Sequence, residues 1–385
     1  MAVILRQEVF GGTLFENIQG KRFHVTANEF EEIQQLGNIP NLLAQEIGVN
    51  GEVRIVSPPW IPSFNFSAPD TSFFEVTRAC NITCIHCFNE SGRKLIFELA
   101  PEQRLKIVED LATAGVQEIR FTGGEPLALP EIFDLIELAY SLQLRVSVGT
   151  NAMLVTPEKA TRLAGIGLKK AIVSVDGPEA QHDRIRGQGS FRKTINGLNN
   201  LREEGISIRV NAVVMRSSAD ELVPLVDYFY KLGIHMYLRR LIPAGRGAAS
   251  VNEMLTAVEY QQLKERLKPY LEDPRGLIEG HYLGEKLFKP RISLPFENKG
   301  CSAGHRGIVI LPNGKVQTCG FLGPLGEKSL GEAHKEPFWK IWKRLLESEH
   351  IAKLRTLLEP HNKTTAGPCT NCLAIALATQ GNPEY

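Results

Sequence analysis

Phe73-Phe-Glu-Val-Thr-Arg-Ala-Cys80-Asn-Ile-Thr-Cys84-Ile-His-Cys87 opens on an aromatic and β-branched run and closes on three thiols. The run reads as a strand, and the thiols as the loop that follows it. From Phe73 onward the same order of strand, loop and helix recurs. Strands are predicted near 73–79, 117–121, 144–149, 169–175, 207–214 and 235–240, with helices near 101–114, 131–142, 156–165, 191–204 and 218–233. Alternation with short loops demands parallel strands and right-handed crossovers, in an open doubly wound sheet or a barrel. Six units fall short of the eight that close a full barrel, so the expected fold class is α/β, a partial (β/α)6 TIM-like barrel. In either architecture functional groups gather at the C-terminal strand ends, where these thiols fall.

Composition narrows the rest. The 385 residues carry 44 Lys and Arg against 43 Asp and Glu, a formal charge of +1. That balance gives no global basic field for nucleic acid and no polybasic stretch for anionic lipid. No apolar run approaches the roughly 18 residues of a membrane span, and the opening apolar stretch stops too soon for a signal peptide. A cytoplasmic protein with neither nucleic acid nor membrane as partner is expected. Seven cysteines argue against a complete disulfide framework, and they fall as Cys80, Cys84 and Cys87, then Cys301, Cys319, Cys369 and Cys372. Three plus four suggests metal.

Outside the barrel, residues 4–25 alternate apolar and polar and predict a two-stranded hairpin. Thr26 with Glu29 forms a capping box for a helix over 28–35, and a second short helix is expected over 41–47. These make a small β+α module, 1–56. Pro58, Pro59, Pro62 and Pro69 mark 57–72 as a linker, with Trp60, Phe64 and Phe66 as aromatic anchors. The barrel is expected over 73–250 and a helical connection over 251–294, including a charged helix near 257–271. A cysteine-bearing domain should fill 295–385, with a hairpin turning at Asn313-Gly314.

Three thiolates this close in sequence can wrap one corner of an iron-sulfur cube and leave its fourth iron open to a small chelator. A structural zinc knuckle with His86 as fourth ligand, or three buried thiols, are the alternatives. Gly123-Gly124-Glu125 ends the second strand, where paired glycines let backbone approach a ligand. Thr150 and Asn151 follow the third strand, and Ser174 and Asp176 the fourth, placing short polar groups at the same strand ends. Cys301 and Cys319 bracket the hairpin and Cys369-Thr-Asn-Cys372 adds a C-x2-C pair, giving a four-thiolate site for zinc or an iron-sulfur cluster.

Together, the C-x3-C-x2-C loop and Gly123-Gly124-Glu125 one strand later resemble the radical S-adenosylmethionine superfamily. The aromatic that family carries beside its last cysteine has His86 before it and Phe88 after it here. The resemblance implies a 4Fe-4S cluster on Cys80, Cys84 and Cys87 as the catalytic group. S-adenosylmethionine would chelate the open iron and, on reductive cleavage, yield a 5'-deoxyadenosyl radical that abstracts hydrogen. It further implies cofactor binding by Phe88, Gly123, Gly124, Glu125, Thr150, Asn151, Ser174 and Asp176, with Arg186 on the cofactor carboxylate. Arg239, Arg240 and Pro243–Gly247 resemble a stretch that could meet substrate or cofactor.

The second cysteine group resembles the Twitch type of SPASM/Twitch auxiliary-cluster domain. It implies a second 4Fe-4S cluster on Cys301, Cys319, Cys369 and Cys372, acting as a redox conduit. Residues 1–56 resemble the leader-recognition domain of ribosomal-peptide maturases, to whose sheet edge a leader peptide adds a strand. The implied substrate is a precursor peptide, with crosslinking, epimerisation, oxidation or splicease-type excision as the outcome. A flavodoxin or ferredoxin-type electron donor is implied, and a separate leader-binding protein if the module no longer binds one. A maturase of a small molecule or cofactor is an alternative, as is an iron-sulfur protein that binds peptide or relays electrons without cleaving S-adenosylmethionine.

Overall fold

The computed structural model describes residues 2–280, 292, 294, 301–349 and 372–379; Cys369 and most of the last 14 residues of the expected helical connection lie outside the described residues. The first residues form four strands, β1 (Val3–Glu8), β2 (Gly11–Glu16), β3 (Lys21–Thr26) and β4 (Val53–Val56), in the order β3-β2-β1-β4. The expected hairpin is thus three strands and not two. Its first turn, Val9-Phe10, carries none of the usual turn residues, so the sequence conceals it. The short β4, unmarked by alternation, pairs in parallel with β1.

Helices α1 (Ala27–Leu36) and α2 (Asn41–Ile47) cover one face of this sheet. The α1 capping box forms as read: the Thr26 N–H donates to Glu29 at 2.8 Å and the Glu29 N–H donates to the Thr26 hydroxyl at 3.3 Å. Leu5, Leu14, Val25 and Ile33 fill the core beneath, with no solvent exposure.

The opposite face of β1 is polar and equally buried. Arg6 donates to Glu8 at 2.6 Å, to Asp70 at 3.1 Å, and to the carbonyls of Pro69 at 3.3 Å and Gly115 at 3.1 Å. Asp70 also accepts from Arg306 at 2.6 Å and pairs with Arg22 at 3.7 Å. One carboxylate therefore joins the N-terminal module, the linker and the C-terminal third. Burial opposes its ionisation, but Arg306, Arg22 and Arg6 outweigh burial and hold it below the usual carboxylate range.

The main sheet has ten strands. β5 (Thr71–Thr77), β6 (Glu118–Gly123), β7 (Arg145–Thr150), β8 (Lys170–Ser174), β9 (Ser207–Val214) and β10 (His235–Arg240) run parallel in sequence order. β5 begins two residues inside the expected linker. Between the strands lie α3 (Pro101–Ala114), α4 (Ile132–Ser141), α5 (Pro157–Gly165), α6 (Glu179–Arg186), α7 (Ser190–Glu203) and α8 (Leu222–Lys231). After α9 (Ala257–Leu271), β11 (Ile278–Gly280) extends the sheet beyond β10. At the other edge β12 (Gly307–Ile310) pairs in parallel with β5, followed by β13 (Lys315–Gln317) and β14 (Gly331–Glu332). α10 (Phe338–Leu346) and α11 (Leu373–Ala378) complete the described chain.

Strand alternation assigns the two faces. Ile119, Phe121, Val146, Val148, Ala171, Val173, Val210 and Ala212 join residues of α3, α4, α5, α7 and α8 in one core. Arg120, Arg145, Lys170, Arg209 and Arg239 occupy the other register, half-buried. Strands β6 and β10 stand four apart, roughly 19 Å in a flat sheet. Yet burial, and then Arg239 and Arg145, lower the proton affinity of Arg120 against the pull of Glu118. The sheet must therefore curl, bringing these side chains together on its concave face as a partial barrel.

Asp70→Asn should destabilise the protein by about 3–5 kcal/mol, because it leaves buried guanidiniums without their counter-charge. The wild-type contribution is full above pH ~4 and declines as pH falls below that, since the folded-state carboxyl is the stronger acid. Urea unfolding at neutral pH checks it; an unchanged midpoint would refute the assignment.

Candidate active site

The thiol loop leaves β5 at Thr77 and is held by backbone contacts. The Cys80 N–H donates to Gly92 at 3.1 Å, the Gly92 N–H to Arg78 at 2.9 Å, and the Cys87 N–H to Cys84 at 3.3 Å. From β6, the Gly124 N–H donates to Thr77 at 2.7 Å and the Glu125 N–H to Ala79 at 2.8 Å. Here the two glycines are required. Gly123 has φ +127°, and a Cβ on Gly124 would lie 2.1 Å from the Ala79 carbonyl oxygen. What approaches these glycines is the thiol loop's own backbone, where the sequence suggested a ligand.

Glu125 is fully buried and accepts from the Thr150 hydroxyl and the Asn151 N–H, both at 2.8 Å, and from the Leu127 N–H at 3.1 Å. Burial raises its pKa, with no cation close enough to reverse the effect. Asn151, placed by Glu125, donates to Asn81 at 2.7 Å and lies 4.0 Å from the Cys80 sulfur.

On the other side, Asp176 accepts from His86 at 2.8 Å, Arg186 at 2.6 Å and the Val213 N–H at 2.9 Å. Burial opposes its charge, but Arg186 and His86 hold it well below the carboxylate range. Arg186 also points Nη1 at the Cys84 sulfur, 3.7 Å away. Ser174 ends the neighbouring strand, half-buried. The structure thus brings Gly123, Gly124, Glu125, Thr150 and Asn151 to the Cys80 side, and Asp176 and Arg186 to the Cys84 side.

Arg246 was only loosely placed by sequence, as part of a stretch that could meet substrate or cofactor. Its backbone N–H donates to Cys87 at 3.0 Å, and its guanidinium to Cys84 at 3.0 Å and Ser91 at 2.7 Å. It therefore clamps the thiol loop from the end of β10. The run of basic residues and glycines after a strand was its only signal.

The donor set suits an iron-sulfur cube. Burial pushes the Cys80 thiol up to about 11 and also raises Cys84, so thiolates here need a bound cation or nearby donors, which Arg186 and Asn151 supply. His86 commits Nε2 to Asp176, and among the described residues no three His, Cys, Asp or Glu side chains converge as they would on a single metal ion.

In the C-terminal third, burial pushes the Cys319 thiol up to about 12, and Cys301 and Cys372 lie near enough to raise it further. Three of the four cysteines thus lie in one neighbourhood, close enough to influence one another's charge. Phe321 packs edge-to-face on Phe88 with ring centroids 4.7 Å apart, joining the two cysteine regions.

Residues 74–229 match the family model described as Radical SAM superfamily, and residues 301–373 match the SPASM model, an iron-sulfur cluster-binding domain. The mycofactocin maturase MftC of Mycolicibacterium smegmatis is 30% identical over 314 residues, covering 79% of this chain and 76% of that protein. An AdoMet-dependent heme synthase of Nitratidesulfovibrio vulgaris is 29% identical over 316 residues, covering 77% and 83%. The fold resembles that of Streptococcus suis SuiB bound to its precursor peptide SuiA, with a TM-score of 0.71 at 17% identity, over 100% of this chain and 97% of that one. Among the described residues no helix is long and apolar enough to cross a membrane.

Gly124→Ala is expected to displace the thiol loop, at least halving the iron bound after anaerobic reconstitution. Gly165→Ala, where a Cβ meets nothing within 4 Å, should bind iron as wild type does. Equal iron content in the two variants would contradict the close-approach argument.

Proposed function

The chain belongs to the radical SAM superfamily, and from that premise we propose that it modifies a ribosomally made precursor peptide by abstracting hydrogen from it. The enzyme class is that of its family, with a SPASM-type iron-sulfur domain at residues 301–373. The peptide reading rests on β3, which among the described residues ends the order β3-β2-β1-β4, where an extended chain could add. The names of two similar proteins support it: MftC is a maturase, and SuiB is seen with a precursor peptide. A heme synthase of similar identity supports a second reading, in which the substrate is a tetrapyrrole or another small molecule.

Cys80, Cys84 and Cys87 would hold a 4Fe-4S cluster, and Cys301, Cys319, Cys369 and Cys372 a second one that carries electrons. When bound, the first cluster with S-adenosylmethionine supplies reductive cleavage to a 5'-deoxyadenosyl radical. This chain's residues orient and shield that chemistry. To the binding of the cofactor we assign Phe88, Gly123, Gly124, Glu125, Thr150, Asn151, Ser174, Asp176 and Arg186. Of these, Glu125 acts through Thr150 and Asn151, and Asp176 through Arg186 and His86. Crosslinking, epimerisation, oxidation and splicease-type excision all start from the same hydrogen abstraction. A cytoplasmic setting, a flavodoxin or ferredoxin-type donor and a separate leader-binding protein belong to the same proposal.

Anaerobically reconstituted protein given dithionite and S-adenosylmethionine should form 5'-deoxyadenosine, and Cys84→Ala should form none. Deuterium from a labelled peptide, encoded by a short neighbouring reading frame, should appear in that product. Product without deuterium transfer would sink the peptide reading alone. Replacing both Cys301 and Cys319 by Ala should remove roughly half of the bound iron, as expected for one of two cubes.

A further inference from the structure

Among the described residues, the concave face of the barrel carries more positive charge than its acidic neighbours neutralise. Arg120, Arg145, Lys170, Arg209 and Arg239 come from five consecutive strands and share the inward register. Glu118 is shared among Arg145 at 3.2 Å, Arg120 at 3.6 Å and Arg22 at 3.8 Å. Glu75 is taken by Arg78 at 3.0 Å and Glu279 pairs with His235 at 3.1 Å. Arg209 is the least satisfied of the five: its Nε and Nη2 are buried and have no hydrogen-bond partner among the described residues. Its guanidinium lies 5.5 Å from the Tyr237 ring centroid, and that of Arg239 lies 5.3 Å from the same centroid. Two like charges are thus held against one ring. A neighbouring buried acceptor, Asn211 Oδ1, also has no partner.

Such an arrangement is costly when empty of anions. Burial, followed by Arg120 and Arg239, lowers the Arg209 pKa to about 9. Burial, followed by Arg209 and Arg145, lowers Lys170 to about 8. An oxyanion among these groups would supply the missing acceptors and relieve the repulsion, and a carboxylate matches the guanidinium fork in plane and spacing.

We propose that the barrel lumen is a carboxylate-binding subsite, in which Arg209 and Arg239, with Lys170 beside them, seat an anionic group of the substrate. This rests on the preceding reading of the chain as a radical enzyme, whose substrate must reach the thiol loop at the mouth of the barrel. Arg239 pairs in register with Val213, whose N–H reaches Asp176, so it lies level with the thiol loop's support. Arg209 lies four residues deeper along β9, about 13 Å by the rise of a strand. Both guanidiniums meet at the Tyr237 ring, two residues below Arg239, so a carboxylate shared between them would sit about 7 Å below that level. The carboxylate could belong to a peptide or to a tetrapyrrole, since both carry it.

The test uses the reconstituted full chain and two probes with matched neutral controls. One is an octapeptide of Gly and Ala with two Glu residues, a free C-terminus and an uncharged dansyl label, against the dansyl-labelled Gln-containing C-terminal amide. The other is iron-coproporphyrin III, against its methyl ester. The carboxylate form of at least one probe should bind about tenfold or more tighter than its control. Arg209→Gln should erase that difference and Arg209→Lys should keep most of it. Iron content and thermal melting are checked for each variant, with Arg239→Gln as the second variant should Arg209→Gln not fold. A charge-dependent peptide supports both this inference and the peptide reading. Charge dependence for the porphyrin alone supports the lumen inference and counts against the peptide. Equal binding of charged and neutral forms, no binding of either probe, or variants that bind as wild type does would overturn the inference and leave the peptide reading standing.

Discussion

A buried carboxylate, Asp176, ties the Cys84 side of the thiol loop to the barrel. It gathers His86 from the loop, Arg186 from the end of α6 and a backbone N–H from β9, so three separately folded segments share one charge. A carboxylate without exposure is stable only when paired and fully hydrogen-bonded, and here both conditions hold. The same node sets the state of its neighbour. His182 accepts the Asp176 N–H through Nδ1, and burial together with Arg186 lowers its pKa to about 4, so it is neutral at physiological pH. Arg186 remains the cation that faces the Cys84 sulfur.

Glu125 does the corresponding work on the other side without a cation. Two backbone N–H groups and a hydroxyl satisfy it, and the result is a rigid turn at Thr150 and Asn151, not a charge aimed at sulfur. The two sides of the loop therefore differ electrically. Cys84 sees a guanidinium and Cys80 an amide. Hydrogen bonds to sulfur tune cluster potential, so this asymmetry belongs to the protein and not to the cofactor.

Much of this was legible in the sequence, for identifiable reasons. Strands β9 and β10 fall where alternation placed them, because one face of each is buried under helices and the period of two is clean. The Thr26–Glu29 box is a local interaction, and local interactions can be read locally. The meaning of Gly123 and Gly124 was less accessible, since the atoms they make room for belong to residues 77–79, a contact only the fold creates. The basic lumen was hidden for a different reason. Lys170, Arg209 and Arg239 alternate with apolar residues just as a solvent-facing register would, and only the curl of the sheet turns that register inward.

The pairing of β5 with β12 also has a history within each molecule. Thr71 faces Gly307, a partner made 236 residues later, and Asp70 waits equally long for Arg306. At typical translation rates that is roughly ten seconds to most of a minute. Throughout it, the strand that delivers Cys80, Cys84 and Cys87 has one flank uncovered on the ribosome. The nascent barrel thus presents its thiol loop beside an open edge, and the last-made third of the chain is what seals it.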